Sequence, residues 1–167
     1  MSRYSLWGCL LALGTLISSS ACAYTPLNST STTSLGPTTL SYIGQNVPCH
    51  SAFTIAVSAS GAATITSAVF TQGLGDSPFC PSISMNAAPW TIGSATLVSD
   101  ITYSAPVSGI SVTVPGLHVT CKQSLMDTVT MTLNNAAGIA SFTGTLHNGM
   151  IPCGVSGTGL TTWVRAP

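Results

Sequence analysis

The chain has almost no charge. Charged side chains make up 4% of its 167 residues, glutamate is absent, and the formal net charge is zero. It therefore lacks the basic footprint that phosphate backbones require, and we do not expect nucleic acid as a partner. Helix surfaces usually carry Glu, Lys, Arg and Gln, so the same scarcity argues against a helical protein.

The sequence also lacks the motifs of common enzyme classes. Glycoside hydrolysis needs two placed carboxylates, but Asp76, Asp100 and Asp127 lie in no acidic cluster. A G-x-S-x-G motif is missing, and its nearest approach, residues 154–157 with Ser156, is predicted as a strand-entry loop. No Walker or dinucleotide-binding glycine motif occurs. We therefore expect a non-enzymatic protein with no catalytic residue.

Metal-ligand spacing is missing as well. His50, His118 and His147 lie far apart in the sequence, and the cysteines have no C-x-x-C spacing. The three histidines would have to meet in space to form a metal site. The sequence thus predicts no metal and no cofactor.

Long apolar runs are absent beyond the N-terminus. Residues 1–23 have a basic start, a short apolar run and small residues up to Ala23, which predicts a signal peptide cleaved before Tyr24. The alternative is a lipoprotein signal with Cys22 acylated. No later apolar stretch is long enough for a transmembrane anchor. We expect a secreted, extracellular or periplasmic protein, or one lipid-anchored through Cys22.

Four cysteines remain after the predicted cleavage: Cys49, Cys80, Cys121 and Cys153. An even number of cysteines in an exported chain predicts two disulfides, whereas free buried thiols are the alternative. Four cysteines allow three pairings, and the sequence alone does not choose among them.

The remaining composition favours strands. Residues 24–38 are rich in Ser and Thr without an apolar period, which predicts a flexible leader. Residues 39–167 are predicted as one β domain. Residues 53–57 alternate apolar and polar side chains, and residues 63–70 return after a tight turn, as in a hairpin. About eight to ten such strands without a helix indicate an antiparallel β-sandwich or a partly open barrel.

Two segments, 47–80 and 119–153, share one order of elements: cysteine, strand, turn, strand, cysteine. An internal duplication is one interpretation, and chance similarity among Thr-rich strands is the other. If the duplication is real, the simplest pairing joins Cys49 to Cys80 and Cys121 to Cys153. Each bridge would then contribute about 3 to 4 kcal/mol in the chain-entropy model.

The longest irregular segment, residues 73–90, is the first choice for ligand contacts. Its candidate binding residues are Trp90 and Phe79, because exposed aromatic rings can touch apolar ligands. Burial in the core is the alternative for Trp90, and Trp163 lies near the C-terminus.

Several of these features together resemble a known family. They are the cysteine-bounded hairpins, Phe53 with residues 61–65, the Ala88-Pro-Trp90 segment, residues 152–157 and the signal peptide. They look like the bacterial secreted activators of alkane oxidation (the PraB type), over about residues 38 to 164. The resemblance carries no catalytic residue. It implies a protein exported during growth on hydrocarbons that helps alkane use without being the oxygenase.

Two functions follow as expectations. The first is an exported accessory protein that assists hydrocarbon use, or contact with biofilm or a surface, at the cell surface or at an oil–water boundary. The alternative is a structural or adhesive subunit of pilus or matrix type, with edge strands that serve assembly. The expected partners are an apolar ligand or surface, or a second copy, since near-zero net charge removes one barrier to self-association.

Overall fold

The structure is a computed structural model that describes residues 24–26, 31–161 and 164–166. The predicted signal peptide with Cys22, and Trp163, lie outside these residues. In the part of the chain that is described, regular structure consists of strands and two single 3-10 turns, at Cys80–Ser82 and Pro115–Leu117. The prediction of an all-β protein is therefore confirmed. No helix in this part is long and apolar enough to span a membrane.

The described residues form strands of very different length. The strands are β1 (Thr25–Pro26), β2 (Ser31–Tyr42), β3 (Gln45–Val57), β4 (Ala63–Thr71), β5 (Ser84–Asn86), β6 (Trp90–Ile92), β7 (Thr96–Ser99), β8 (Thr102–Ser108), β9 (Ser111–Val114), β10 (Val119–Lys122), β11 (Val129–Asn134), β12 (Ile139–Asn148), β13 (Ile151–Thr161) and β14 (Val164–Arg165). Strand β3 shows the expected period of two, because every second residue from Val47 to Val57 is buried. The predicted alternation of residues 53–57 is thus confirmed.

Eight strands form a closed antiparallel barrel. Their order around the ring is β11-β8-β6-β4-β3-β2-β13-β12, and β12 pairs with β11 again. All of these neighbours are antiparallel. Closure gives each strand of the ring a partner on both sides, which removes the free edges of an open sheet. The sequence did not distinguish a β-sandwich from a barrel. The strand pairing is that of a barrel with additional strands.

The barrel wall splits into two branches between β12 and β4. The β11–β8–β6 branch belongs to the ring and pairs with β12 from Ile139 to Gly144. The β10–β9–β5 branch is joined to β12 by one residue pair, Lys122 with His147. It ends at β5, which contacts β4. Strands β12, β13, β2, β3 and β4 therefore form a wall that both branches share.

Two disulfides tie the β10–β9–β5 branch to this shared wall. Cys49–Cys80 joins β3 to the turn before β5, and Cys121–Cys153 joins β10 to β13. The local pairing of the four cysteines is therefore confirmed. Among the described strands, β5 pairs only with β9, and β10 meets β12 at a single position. Each disulfide thus lies where few or no strand pairings join the branch to the shared wall.

A single apolar core fills the space inside the wall. Leu133, Leu146, Val114 and Val129 are among its most deeply buried side chains. The Phe53 ring packs edge-on against two others, with centroids 6.1 Å from Phe70 and 5.6 Å from Phe142. Edge-to-face pairs of this kind stabilise a core beyond the apolar area that they bury. Phe53 therefore joins the β3–β4 hairpin to the β11–β12 hairpin.

Part of the predicted leader is a strand. Residues 31–38 belong to β2, which pairs with β3 along its whole length and with β13 from Leu35 onward. A segment without an apolar period can form a strand because its backbone N–H and C=O groups find partners on both sides, whatever the side chains are. Residues 31–38 of the predicted leader thus lie in a strand, and the flexibility of the leader stays a prediction.

One end of the barrel, the closed end, is covered by residues from near the chain termini. Tyr24 is 4% exposed, and its hydroxyl donates a hydrogen bond to the Gly93 carbonyl at 2.7 Å. This burial raises the pKa of Tyr24 to about 12. Ala166 is also buried there, held by two hydrogen bonds with the Asn135 side chain.

Candidate functional site: an apolar rim and an apolar interior

Four connections lie towards the opposite end of the barrel. The β2–β3 turn (43–44) and the β12–β13 turn (149–150) lie there together, because Tyr42 pairs with Cys153 where these strands meet. The loop 72–79 follows β4 at the same end, since Ser77 N–H donates to the Pro48 carbonyl near the start of β3. The loop 123–128 follows Lys122, which pairs with His147 near the end of β12.

These connections carry exposed apolar side chains, which we call the rim. The rim consists of Ile43, Leu74, Leu125, Met126 and Met150, each at least 67% exposed. The exposed large apolar side chains near the closed end are Leu97, Val98, Ile101 and Ile139, which are 41% to 65% exposed. A soluble domain seldom leaves several large apolar side chains in water at one end unless that end meets another apolar body. The rim is therefore the candidate contact surface.

The rim loop 72–79 is held to the wall by a His–Asp pair. Nδ1 of His50 lies 2.6 Å from Oδ2 of Asp76, and the same oxygen accepts a hydrogen bond from the Gly73 N–H at 2.7 Å. The bond from His50 first, and that from Gly73 second, lower the pKa of Asp76 below its usual value. The carboxylate thus anchors the base of the loop that presents Leu74.

The rim loop 123–128 has a similar anchor. Oδ2 of Asp127 accepts a hydrogen bond from the Ser124 N–H at 2.7 Å, and this bond is the main cause that lowers the Asp127 pKa. Oδ1 lies 2.7 Å from Nδ1 of His147, an ion-pair distance without hydrogen-bond alignment. Gln123 adds hydrogen bonds to the carbonyls of Val107 and Asp127. The loop that presents Leu125 and Met126 is therefore also fixed.

The barrel interior contains an apolar cavity. Its volume is about 70 Å³. Its lining is mostly aliphatic and aromatic and includes Phe53, Ile65, Trp90, Val129, Met131 and Phe142. The cavity is a second candidate site, separate from the rim.

Neither of the two predicted ligand-binding residues, Trp90 and Phe79, belongs to the rim. Trp90 is 4% exposed and begins β6, with Nε1 donating to the Asn86 carbonyl at 3.1 Å. It lines the interior cavity rather than a surface loop. Phe79 is half-buried and packs on Gly116, where a side chain would clash with its ring. The segment 73–90 is also more regular than predicted, because it contains β5 and a 3-10 turn.

The residues weighed for catalysis and metal binding are distributed around the barrel. Ser156 lies within β13, paired with Thr143 and Thr39, so the prediction of a strand-entry loop was wrong. His50 and His147 belong to separate His–Asp pairs, and His118 follows the Pro115–Leu117 turn with a left-handed backbone. Within the described residues, no three His, Cys, Asp or Glu side chains are grouped as metal ligands.

The rim residues were not predicted from the sequence, although a local signal was present. Leu74 lies between two glycines, and Met150 follows Gly149. A large apolar residue within a glycine turn has little chance of burial, because turns lie on the surface. What the sequence does not reveal is that these turns lie towards the same end of the barrel.

Fold and site together define a disulfide-linked, all-β protein with an apolar interior and an apolar loop end. Disulfides of this kind are typical of an oxidising compartment outside the cytoplasm. The family model described as alkane oxidation protein activator PraA/PraB-like matches residues 2–163, and the chain belongs to this family. The family resemblance of the sequence is thus confirmed. No curated protein and no solved structure matches the chain significantly. The family description indicates an accessory role in alkane oxidation.

Proposed function

We propose that the protein is an exported, non-enzymatic accessory factor of alkane oxidation that contacts hydrocarbon at the cell surface or at an oil–water boundary. The observation that carries this proposal is the rim. Its five large apolar side chains stand in water at one end of a barrel whose family assists alkane use. An apolar phase is the partner that satisfies such side chains without requiring complementary charge.

The energetics support the rim as a contact surface. Burying one Leu, Ile or Met side chain that was exposed is worth about 1.5 to 3 kcal/mol. The rim loops are already anchored by Asp76 and Asp127, so contact does not require the protein to order them first. The low charge of the chain also limits the desolvation that contact with hydrocarbon would cost.

An accessory role also fits the geometry of the polar groups. The carboxylates of Asp76 and Asp127 both hold loops, and within the described residues no hydrogen bond joins Ser156 to His50 or His147. Two of the three histidines, His50 and His147, thus lie beside aspartates that hold loops.

Adsorption to hydrocarbon tests the proposal directly. The disulfide-bonded protein is applied to an n-hexadecane–water boundary, and interfacial tension is followed as a function of protein concentration. The rim variant Leu74→Ser/Leu125→Ser/Met150→Ser should need at least about tenfold more protein for the same effect, since each side chain loses more than 1 kcal/mol of transfer energy. The matched control is Leu97→Ser/Val98→Ser/Ile101→Ser near the closed end, which should adsorb like the unchanged protein.

Two results would contradict the proposal. Equal loss in the rim variant and the control would mean that adsorption is unspecific. Recovery of the protein only in detergent-resistant fibres would favour the alternative of a structural or adhesive subunit. Growth of the host on n-alkane with the rim variant as its only copy gives a second readout, and slower growth is expected.

A further inference from the structure

The buried polar side chains at the interior cavity already have partners. The hydroxyls of Thr38 and Ser51 hydrogen-bond to each other, and Thr38 also reaches the Cys49 carbonyl. The Trp90 indole N–H is bound to the Asn86 carbonyl. The other lining hydroxyls, on Thr39 and Ser156, belong to partly exposed residues. The lining of the cavity is therefore almost wholly apolar.

A water molecule inside a protein needs about two to four polar partners, so a cavity without them stays dry and favours an apolar occupant. The size of the cavity limits that occupant. An engineered apolar cavity of about 150 Å³ binds benzene or xenon, and the cavity here, at about 70 Å³, has roughly half that volume. A slim group fits this space better than a ring does.

We infer that the interior cavity binds a slim, straight saturated hydrocarbon group, either a small alkane or one end of a longer chain. The biological identity of the ligand as an alkane rests on the proposed function, whereas the binding itself rests on the cavity. Met131 is the adaptable part of the lining, because its unbranched thioether side chain can change rotamer to fit an occupant. Phe53 and Phe142 form the rigid part, since their rings are locked edge-to-face.

Propane and xenon are suitable probes, because both are apolar and small. The methyl signals of Met131, Ile65 and Val129 are followed by NMR in the disulfide-bonded protein as either gas is dissolved to saturation. Their shifts should move and saturate, while those of the rim residue Met126 move little. Thermal unfolding in propane should occur at higher temperature, because a ligand of the native state lowers the unfolding constant by the factor 1 + [L]/Kd. Cyclohexane, which is wider, should cause neither effect.

Two substitutions, Ala140→Val and Val129→Ile, enlarge lining residues and so fill the cavity. Each adds methyl or methylene volume, and each should abolish the propane shifts at Met131 and Ile65 while the protein stays folded. The rim variant should keep these shifts although it loses adsorption to hexadecane, so failure of the inference and failure of the proposed function are separable. Absence of lining shifts at gas saturation in the unchanged protein would overturn the inference. Unchanged shifts in a folded, filled variant would do so as well.

Discussion

The two cysteine-bracketed segments, 47–80 and 119–153, build different parts of the barrel from the same order of elements. In the first, Cys49 and the outgoing hairpin strand belong to one continuous strand, β3. In the second, residues 123–128 separate β10, which carries Cys121, from the hairpin strand β11. Both strands of the first segment, β3 and β4, therefore lie in the shared wall. The second segment contributes β10 to one branch and β11 to the other. Residues 123–128 thus lie where the wall splits into its two branches.

The anchors of the two rim loops show a similar contrast. In the first segment, Asp76 pairs with His50, which belongs to β3. The Asp76 side chain is 10% exposed, and the His50 side chain is 56% exposed. The carboxylate of Asp127 is 3% exposed, and its partner His147 on β12 is 33% exposed. The histidine precedes the aspartate in the first segment and follows it in the second. Both segments thus hold a rim loop by a carboxylate, but from opposite directions along the chain. Whether they arose by duplication stays a prediction.

The largest effect is expected where the two segments meet. Phe53→Ala removes the ring that packs on Phe70 in the first segment and on Phe142 in the second. We expect the free energy of unfolding to fall by about 3 to 5 kcal/mol, measured by urea denaturation. Phe70→Ala, whose ring is only partly buried, should cost less. An equal loss for both would show that Phe53 does not link the two hairpins.

The disulfides give the next largest effect and compare the segments directly. The closed loops have nearly equal separations, 31 and 32 residues, so the chain-entropy model gives both the same contribution, about 3 to 4 kcal/mol. The double variant Cys49→Ala/Cys80→Ala should nevertheless cost more, because β5 pairs only with β9 among the described strands.

The matched variant is Cys121→Ala/Cys153→Ala, since β10 keeps its pairing with both β9 and β12. Hydrogen exchange of the Met85 amide in β5 would show the loosened branch. A smaller cost for the first variant than for the second would contradict the role assigned to Cys49–Cys80.

The smallest effect concerns pH. Hydrogen bonds hold the pKa of Asp76 and of Asp127 below the usual value of about 3.9. Both carboxylates therefore stabilise the fold above that pH, and this contribution is lost as the pH falls through their lowered pKa values. Stability should decline below about pH 5, and the rim loops should open first.

Asp76→Asn and Asp127→Asn compare the two anchors. Each should reduce the pH dependence of the free energy of unfolding, and Asp127→Asn should do so more, because its carboxyl is the more enclosed. Exchange of the Gly73 and Ser124 amides at pH 3 and pH 7 reports each loop separately. A pH dependence that is unchanged in both variants would rule out these anchors as its source.

Much of the fold followed from local patterns. The alternation at residues 53–57 predicted a strand with one buried face, and β3 has it. Pro106 lies within β8, where its carbonyl accepts a hydrogen bond from the Gly93 N–H. Proline keeps its acceptor although it lacks a donor, so one missing ladder bond is tolerated. The sequence did not decide whether Trp90 is exposed or buried, because no local pattern determines the burial of an aromatic residue that follows a proline.

By itself, the sequence determined an all-β chain, strands of period two, two disulfides and membership in the alkane oxidation activator family. These properties depend on composition, spacing and local alternation. Only the tertiary structure decided that β2 enters the ring, that the wall splits, and that Leu74, Leu125 and Met150 stand at one end. The reason is that pairing between distant strands is made by backbone groups common to all residues, so side-chain patterns leave the choice of partners open.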